Sequence, residues 1–373
     1  MKVLYSCLSQ SWGGMEMFTV RAVQKLLERD ISVTLLCYPD SKIHKKAIQE
    51  NIETFTVKAS GYFNPVQIVK ISRFVSAGKF DLVHTQDSKD LWILSPALRL
   101  AHSKIPLFIT KQVGSFIVKK DVLHKCIYRR VTTAFAISKV IKKNLLDTVP
   151  LTESKIKILH NAVDTTKFNP EKIDKDAVRK EFEIKDDKIV IGMLARFSKG
   201  KGHEEFLLAA KILSAKFDNL VFMIVGEPSR GEEQYGKEIR DLCSEYKLND
   251  KVIFTGFRSD IPEVLASMDI FAFPSHAEAF GIALVEAMAM EKPSVASNSD
   301  GVLDIVVDNV TGLLFENGNA SDLASKIEQL IISVEKRELY GKAARERVVE
   351  LFDFEFLTDK VLDFYNQTIE THK

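Results

Sequence analysis

The sequence is poor in cysteine. Cys7, Cys37, Cys126 and Cys243 lie far apart and form no CxxC or Cys/His pattern. That spacing argues against a disulfide framework and for small buried residues in a reducing, cytoplasmic compartment. Long apolar runs are missing too, since none approaches the roughly 20 residues a membrane-spanning helix requires. The apolar start, residues 2–8, is short and has no small-residue cleavage site, so it is expected to be a first β-strand and not a signal peptide. Two nucleotide-binding signatures are also absent. The lack of GxGxxG argues against an ordinary NAD site, and the lack of GxxxxGK[ST] argues against a P-loop ATPase. Asp174 and Asp176 have DxD spacing but lie in a charged stretch that reads as solvated surface. His203 and His276 read as a helix-start residue and a loop residue, so no metal site and no cofactor are expected.

What is present is an ordinary globular composition, 46% hydrophobic and 28% charged, in 373 residues. That length exceeds what one hydrophobic core serves, so two domains are expected. Short β-branched runs occur at 3–7, 33–37, 82–84, 107–110 and 134–137, and again at 189–194, 221–225, 252–255, 270–273 and 294–297. Helical patterns such as 15–28, 204–215 and 282–290 lie between them. This alternation predicts an α/β fold, with two doubly wound parallel-sheet domains that bind ligands beyond the carboxyl ends of their strands. The predicted domains are 1–165 and 166–352. The boundary falls after the strand 156–159, where the chain turns through Asp164, Asn169 and Pro170. A terminal amphipathic helix over 353–373 is expected to pack back toward the first domain.

The net charge of +1 hides an asymmetry: residues 1–165 carry +12 and the remainder −11. The densest basic stretch contains Lys111, Lys119, Lys120, Lys125, Arg129, Arg130 and Lys143, opposed only by Asp121. Such a face either is simply solvated or meets an anionic membrane surface. Nucleic acid is not the expected partner, because no recognition module accompanies the charge.

Three segments could carry chemistry. Gly13 and Gly14 follow the first strand and precede a helix, where bare backbone can approach an anion. Arg196, Lys199 and Lys201 sit in a glycine-broken loop between a strand and a helix, an arrangement that suits a diphosphate or serves only as a solvated basic loop. Glu278 and Glu286 flank Gly281, which opens the helix that follows the strand 270–273. Two carboxylates beside a helix N-terminus could bind sugar and ribose hydroxyls through charge-assisted bonds.

On these residues the sequence resembles the family 4 glycosyltransferases of the GT-B fold, which are retaining enzymes with two Rossmann-like domains and an interdomain cleft. Glu278 and Glu286 match the E-x7-E motif, and Arg196 and Lys201 match the pair that contacts the donor diphosphate. Gly13, Gly14 and Glu16 resemble the GGxE turn, and Gly256, Phe257 and Arg258 the loop facing the base. Ile137, Ser138, Asn161 and Asp164 fall in segments that lead into the hinge. The stretch 110–130 further resembles members that build lipopolysaccharide core or O-antigen. The departures are specific. Lys111 and Gln112 stand where many relatives have a histidine, for which His84 is either a substitute or simply a structural histidine at a strand terminus, and Leu303 and Asp304 replace the end of a GGxPE motif.

The implied donor site comprises Gly14, Arg196, Lys201, Phe257, Arg258, Glu278, Gly281, Ile282, Ala283, Leu284 and Glu286, with Arg196, Lys201 and Glu278 catalytic. Gly13, Gly14, Glu16, His84, Lys111 and Gln112 are the implied acceptor residues. The expected reaction moves a sugar from a nucleotide sugar, with UDP preferred, to a glycolipid or polysaccharide hydroxyl at the inner face of the cytoplasmic membrane. A nucleotide-sugar epimerase or hydrolase, and a non-catalytic binding protein, are the competing expectations on the same architecture.

Overall fold

The computed structural model describes residues 1–59 and 63–372. It resolves into two compact units, Met1–His160 with Phe354–Lys373, and Asn161–Asp353. The division falls at 160/161, and the terminal helix is part of the first unit.

The first unit contains strands β1 (Lys2–Cys7), β2 (Ser32–Cys37), β3 (Glu53–Thr56), β4 (Leu82–Thr85), β5 (Leu107–Lys111), β6 (Thr133–Ala136) and β7 (Ile156–Ile158). They form one parallel sheet in the order β3-β2-β1-β4-β5-β6-β7. Both faces of such a sheet are covered by helices, so its central strands read as continuous apolar runs. Val3 pairs with Val33 on one side and Leu82 on the other, and all three are buried. Helix starts are set by local chemistry. Ser138 accepts from Ile141 N–H to open the helix Lys139–Thr148, and Asp121 caps the helix Val122–Tyr128 in the same way.

The helix Phe354–His372 fastens onto the first unit. Tyr365, wholly buried, packs its ring 4.9 Å from that of Phe108, and Phe354 lies 5.4 Å from Phe18. Glu355 bridges Lys25 at 2.5 Å and Arg29 at 2.6 Å on the helix Gly14–Leu27.

The second unit contains β8 (Ile189–Leu194), β9 (Leu220–Val225), β10 (Val252–Gly256), β11 (Ile270–Phe273), β12 (Ser294–Ser297) and β13 (Gly312–Phe315). Its parallel sheet has the order β10-β9-β8-β11-β12-β13. Met193, Phe206, Phe222, Ile224, Leu323 and Ile327 belong to its core, joining strands to the helices His203–Ser214 and Ala320–Ile332. Asn319 and Ser333 cap the helices Ala320–Ile332 and Val334–Leu351.

One sequence expectation is corrected here. Cys126 is exposed, unlike the buried Cys7, Cys37 and Cys243, because it lies on the outer part of a short surface helix. The helix Val334–Leu351 carries no broad apolar stripe; it buries Tyr340, Gly341, Ala344 and Val348, two of them small. Among the described residues no helix is long and apolar enough to cross a membrane.

Candidate active site

The two motif-bearing loops of the second unit leave adjacent strands. β8 ends at Leu194 and β11 at Phe273, and the two strands pair through Ile191 and Ile270. Sheet order reverses between them, with β9 beyond β8 and β12 beyond β11. This is a topological switch point, where an open α/β sheet leaves a crevice outside its carboxyl edge.

Gly202 lets the two loops touch. Its φ is +79°, and an added Cβ would lie 2.2 Å from the Pro274 carbonyl oxygen, so a side chain would force the loops apart. Across this contact the His276 amide donates to the Gly200 carbonyl at 2.8 Å. The Ser275 hydroxyl donates to Glu278 Oε1 at 2.9 Å, and Lys201 Nζ donates to the same oxygen at 2.5 Å. Side-chain exposures of 25% for Lys201 and 18% for Glu278 place this ion pair on the wall of the crevice, neither sealed nor free in water. Arg196 is exposed on the first loop, its Nη1 donating to Ser229 Oγ at 3.0 Å.

Gly281 opens the helix Ile282–Ala289 in a left-handed conformation, φ +115°, with an added Cβ 3.3 Å from the Phe273 ring. The Leu284 amide is engaged with the Gly281 carbonyl at 3.1 Å. The amides of Ile282 and Ala283 have no backbone acceptor among the described residues. They form a small, partly positive donor pair of the kind that binds anions at helix starts. Glu286 lies one turn further along and is half-buried. Desolvation raises its carboxyl to about 7, with Lys167 opposing the shift. The crevice thus carries two side-chain cations, open amides and two carboxyl groups.

Arg258 is held by two acids of the second unit. It forks onto Glu181 at 2.5 and 2.8 Å and also pairs with Asp260, so these bonds raise its pKa and occupy its guanidinium. It fastens the helix Asp176–Glu181 to the end of β10. Phe257 next to it is exposed. Asp174 accepts from the Asp176 amide at 2.9 Å, a local turn contact. His203 is buried beside Phe197, and desolvation lowers its pKa to about 4. Among the described residues no group of three His, Cys, Asp or Glu side chains is placed to hold a metal.

In the first unit the candidate residues separate. Gly13 is extended, and neither Gly13 nor Gly14 is crowded, so both leave bare backbone at the start of the helix Gly14–Leu27. Glu16 is buried and accepts from the Gly13 amide at 2.8 Å, a helix-capping role. Of the two readings of His84, the structural one fits. It is 1% exposed, its ring nitrogens bond Tyr365 and Thr110, and burial lowers its pKa to about 3. Lys111 is half-buried with Nζ 3.2 Å from Ser88 Oγ, and desolvation, reinforced by Lys119, lowers its pKa. Gln112 donates to Gln86 Oε1 at 3.0 Å.

Sequence reasoning missed Ser275, Ser229 and Lys167 near the donor-type crevice, and Asp90 beyond β1 and β4. Asp90 accepts from Ser6 Oγ at 2.7 Å, Thr85 Oγ1 at 3.0 Å and the Leu8 amide at 3.2 Å. Its carboxyl is raised to about 7 by burial and by Asp87. No local motif marks these residues, because each is defined by the loop it meets.

Two parallel-sheet Rossmann-like units, the second with its cations, amides and carboxyls at the switch point, define a GT-B glycosyltransferase architecture. Residues 12–167 match the family model described as glycosyltransferase family 4, and residues 174–347 match the one described as glycosyl transferases group 1. The chain belongs to the family 4 glycosyltransferases. A capsular polysaccharide biosynthesis glycosyltransferase, CapM, of Staphylococcus aureus is 30% identical over 240 residues, covering 63% of this chain and 61% of that protein. A UDP-Gal:α-D-GlcNAc-diphosphoundecaprenol α-1,3-galactosyltransferase of Escherichia coli is 24% identical across 98% of this chain and 96% of its own length. A glycosyltransferase of Rickettsia africae superposes with TM-score 0.88 at 23% identity over 98% of both chains. Anabaena HepE in complex with UDP-glucose superposes with TM-score 0.80 at 23% identity, over 98% of this chain and all of its own.

Proposed function

We propose that the protein transfers a sugar, with retention of configuration, from a UDP-sugar to a hydroxyl of a glycolipid or polysaccharide in cell-envelope glycan synthesis, lipopolysaccharide included, at the inner face of the cytoplasmic membrane. The observation that carries this reading is the Lys201–Glu278 pair set beside the open amides of Ile282 and Ala283 at the carboxyl ends of β8 and β11. UDP is favoured by the relatives, one named for UDP-galactose and one complexed with UDP-glucose.

In this mechanism Arg196, Lys201 and the two amides receive the donor diphosphate. The bond from the anomeric carbon to the phosphate oxygen breaks, and negative charge collects on the leaving phosphate. Fixed positive groups there lower the barrier more than a strong base would. The acceptor oxygen bonds the anomeric carbon on the face the phosphate leaves, and its proton passes to the departing phosphate oxygen. Glu286 binds ribose hydroxyls, and Glu278 orients the sugar while restraining Lys201. Gly13 and Gly14 offer backbone to the acceptor side. Two side-chain cations supply the charge, so the scheme requires no metal.

A thermal-shift screen over UDP-, GDP- and ADP-sugars tests the reading. At a hundredfold excess over Kd a bound donor adds about 2.7 kcal/mol of apparent stability. A rise with a UDP-sugar is expected, and product formation should then require a saccharide acceptor. Silence across all three nucleotide classes would refute it.

A further inference from the structure

The first unit carries a feature that the donor site does not use. Between β5 and β6 the chain exposes Val113, Phe116, Ile117, Val118, Val122 and Leu123, each at least 64% accessible and Phe116 fully so. Six large apolar side chains within eleven positions exceed the scattered exposure normal on a soluble surface. The protrusion is held, not frayed. Ser115 exchanges bonds with Asn144, its amide donating at 2.8 Å and its carbonyl accepting at 2.9 Å, while the Lys119 amide donates to the Thr148 carbonyl at 2.6 Å. Phe116, Ile117 and Val118 are presented between these two anchors.

Val122 also lines an open cavity of about 560 Å³ whose other walls are Arg99, Lys125, Cys126, Arg129 and Arg130. Four cations meet in that lining and no carboxylate does. Arg99 donates to Cys126 Sγ at 2.7 Å, and Arg130 donates to the Ser103 and Ile105 carbonyls, which hold both guanidiniums in place. Lys125 is exposed on the helix Val122–Tyr128, and Arg129 is exposed at its C-cap. The nearest acid in sequence, Asp121, caps that helix and pairs with His124. Apolar side chains beside a fixed cationic bowl match the headgroup boundary of an anionic bilayer in both polarity and charge.

We propose that the segment 113–130 docks the first unit on an anionic bilayer, with Phe116, Ile117 and Val118 entering the headgroup boundary and the bowl of Arg99, Lys125 and Arg129 holding a lipid phosphate. The proposal deepens the membrane-side placement given above and rests on it. It differs from a purely electrostatic basic face in requiring the apolar side chains.

Cosedimentation of the full chain with phosphatidylcholine vesicles, with and without phosphatidylglycerol, tests it. Phe116→Ser with Ile117→Ser should weaken binding about tenfold or more on the anionic vesicles. Lys125→Ala with Arg129→Ala should weaken it about fivefold per cation on the anionic vesicles and leave the neutral ones unchanged. All four positions are exposed, so melting curves should match wild type. Equal vesicle binding by wild type and both variants, or no binding by wild type, would overturn the proposal. So would competition by millimolar inorganic phosphate, which would mark the bowl as a free-phosphate site. UDP binding by calorimetry on the same samples keeps the two readings apart. Its absence would sink the donor site while leaving the vesicle result to stand or fall by itself.

Discussion

Lys201→Ala separates a donor-contacting lysine from one that merely holds Glu278. In the free protein Lys201 Nζ lies 2.5 Å from Glu278 Oε1, which also accepts from the Ser275 hydroxyl at 2.9 Å. Deleting the ammonium should therefore cost about 1–3 kcal/mol of stability, the range for a hydrogen bond to a charged group, reduced by the crevice's access to water. Its effect on catalysis should be larger. Removing one preorganised donor from a developing oxyanion typically costs 10²–10³-fold in kcat, about 3–4 kcal/mol. Glu278→Gln keeps an acceptor for both Ser275 and Lys201, so its stability should change by less. Initial rates at saturating acceptor, with the UDP-sugar varied, would be measured for both single variants and the double. If Lys201 contacts the diphosphate, Lys201→Ala is the slower single variant, and the double is slower than Glu278→Gln by at least about tenfold. A Lys201→Ala rate within about threefold of wild type, or a double variant no slower than Glu278→Gln, would refute the reasoning.

Other outcomes follow from the same geometry. Glu286 has its carboxyl raised from 4.5 to about 7, so the folded chain holds a proton there that the unfolded chain releases. Stability contributed at this position falls as pH rises from about 4.5 to about 7 and then levels, and Glu286→Gln should remove that slope, gaining up to about 3 kcal/mol above pH 7. If ribose hydroxyls bind the ionised form, donor binding at pH 6.5 should release protons, seen as buffer-dependent calorimetric heats, and the release should vanish in Glu286→Gln. His84 has its pKa lowered from 6.5 to about 3, so it favours the folded state above the unfolded value, and that contribution is lost as pH falls from about 6.5 toward about 3. His84→Ala should lower the melting temperature and leave the pH profile of kcat unmoved; a shifted profile would restore a chemical role. Gly281→Ala must adopt φ +115° and press a Cβ toward the Phe273 ring, costing about 1–3 kcal/mol and weakening donor affinity in titration.

Much of the fold was legible because buried parallel strands are written as short apolar runs, and β1, β2, β8 and β11 are nearly all buried. The donor-type loops were legible because glycines and charges stand together at strand ends. Their connection was not, since Ser275 gains meaning only when Gly202 brings the first loop against Pro274. The role of His84 stayed open for a similar reason. At a strand end it looked available, but Tyr365, 281 residues later, closes over it. Arg258 reads as a ligand contact because Glu181, which occupies it, lies 77 residues away in sequence, whereas the Glu16 bond to the Gly13 amide follows the three-residue capping spacing. The helix Val334–Leu351 escaped notice because two of the four residues it buries, Gly341 and Ala344, are small.

A crystal structure of the full chain with UDP bound tests the central claim most directly. The account predicts the diphosphate at the carboxyl ends of β8 and β11, with phosphate oxygens about 3 Å from Lys201 Nζ and from the Ile282 and Ala283 amides, and ribose hydroxyls on Glu286. UDP bound with its phosphates away from Lys201 and Gly281, the Lys201–Glu278 pair undisturbed, would contradict it.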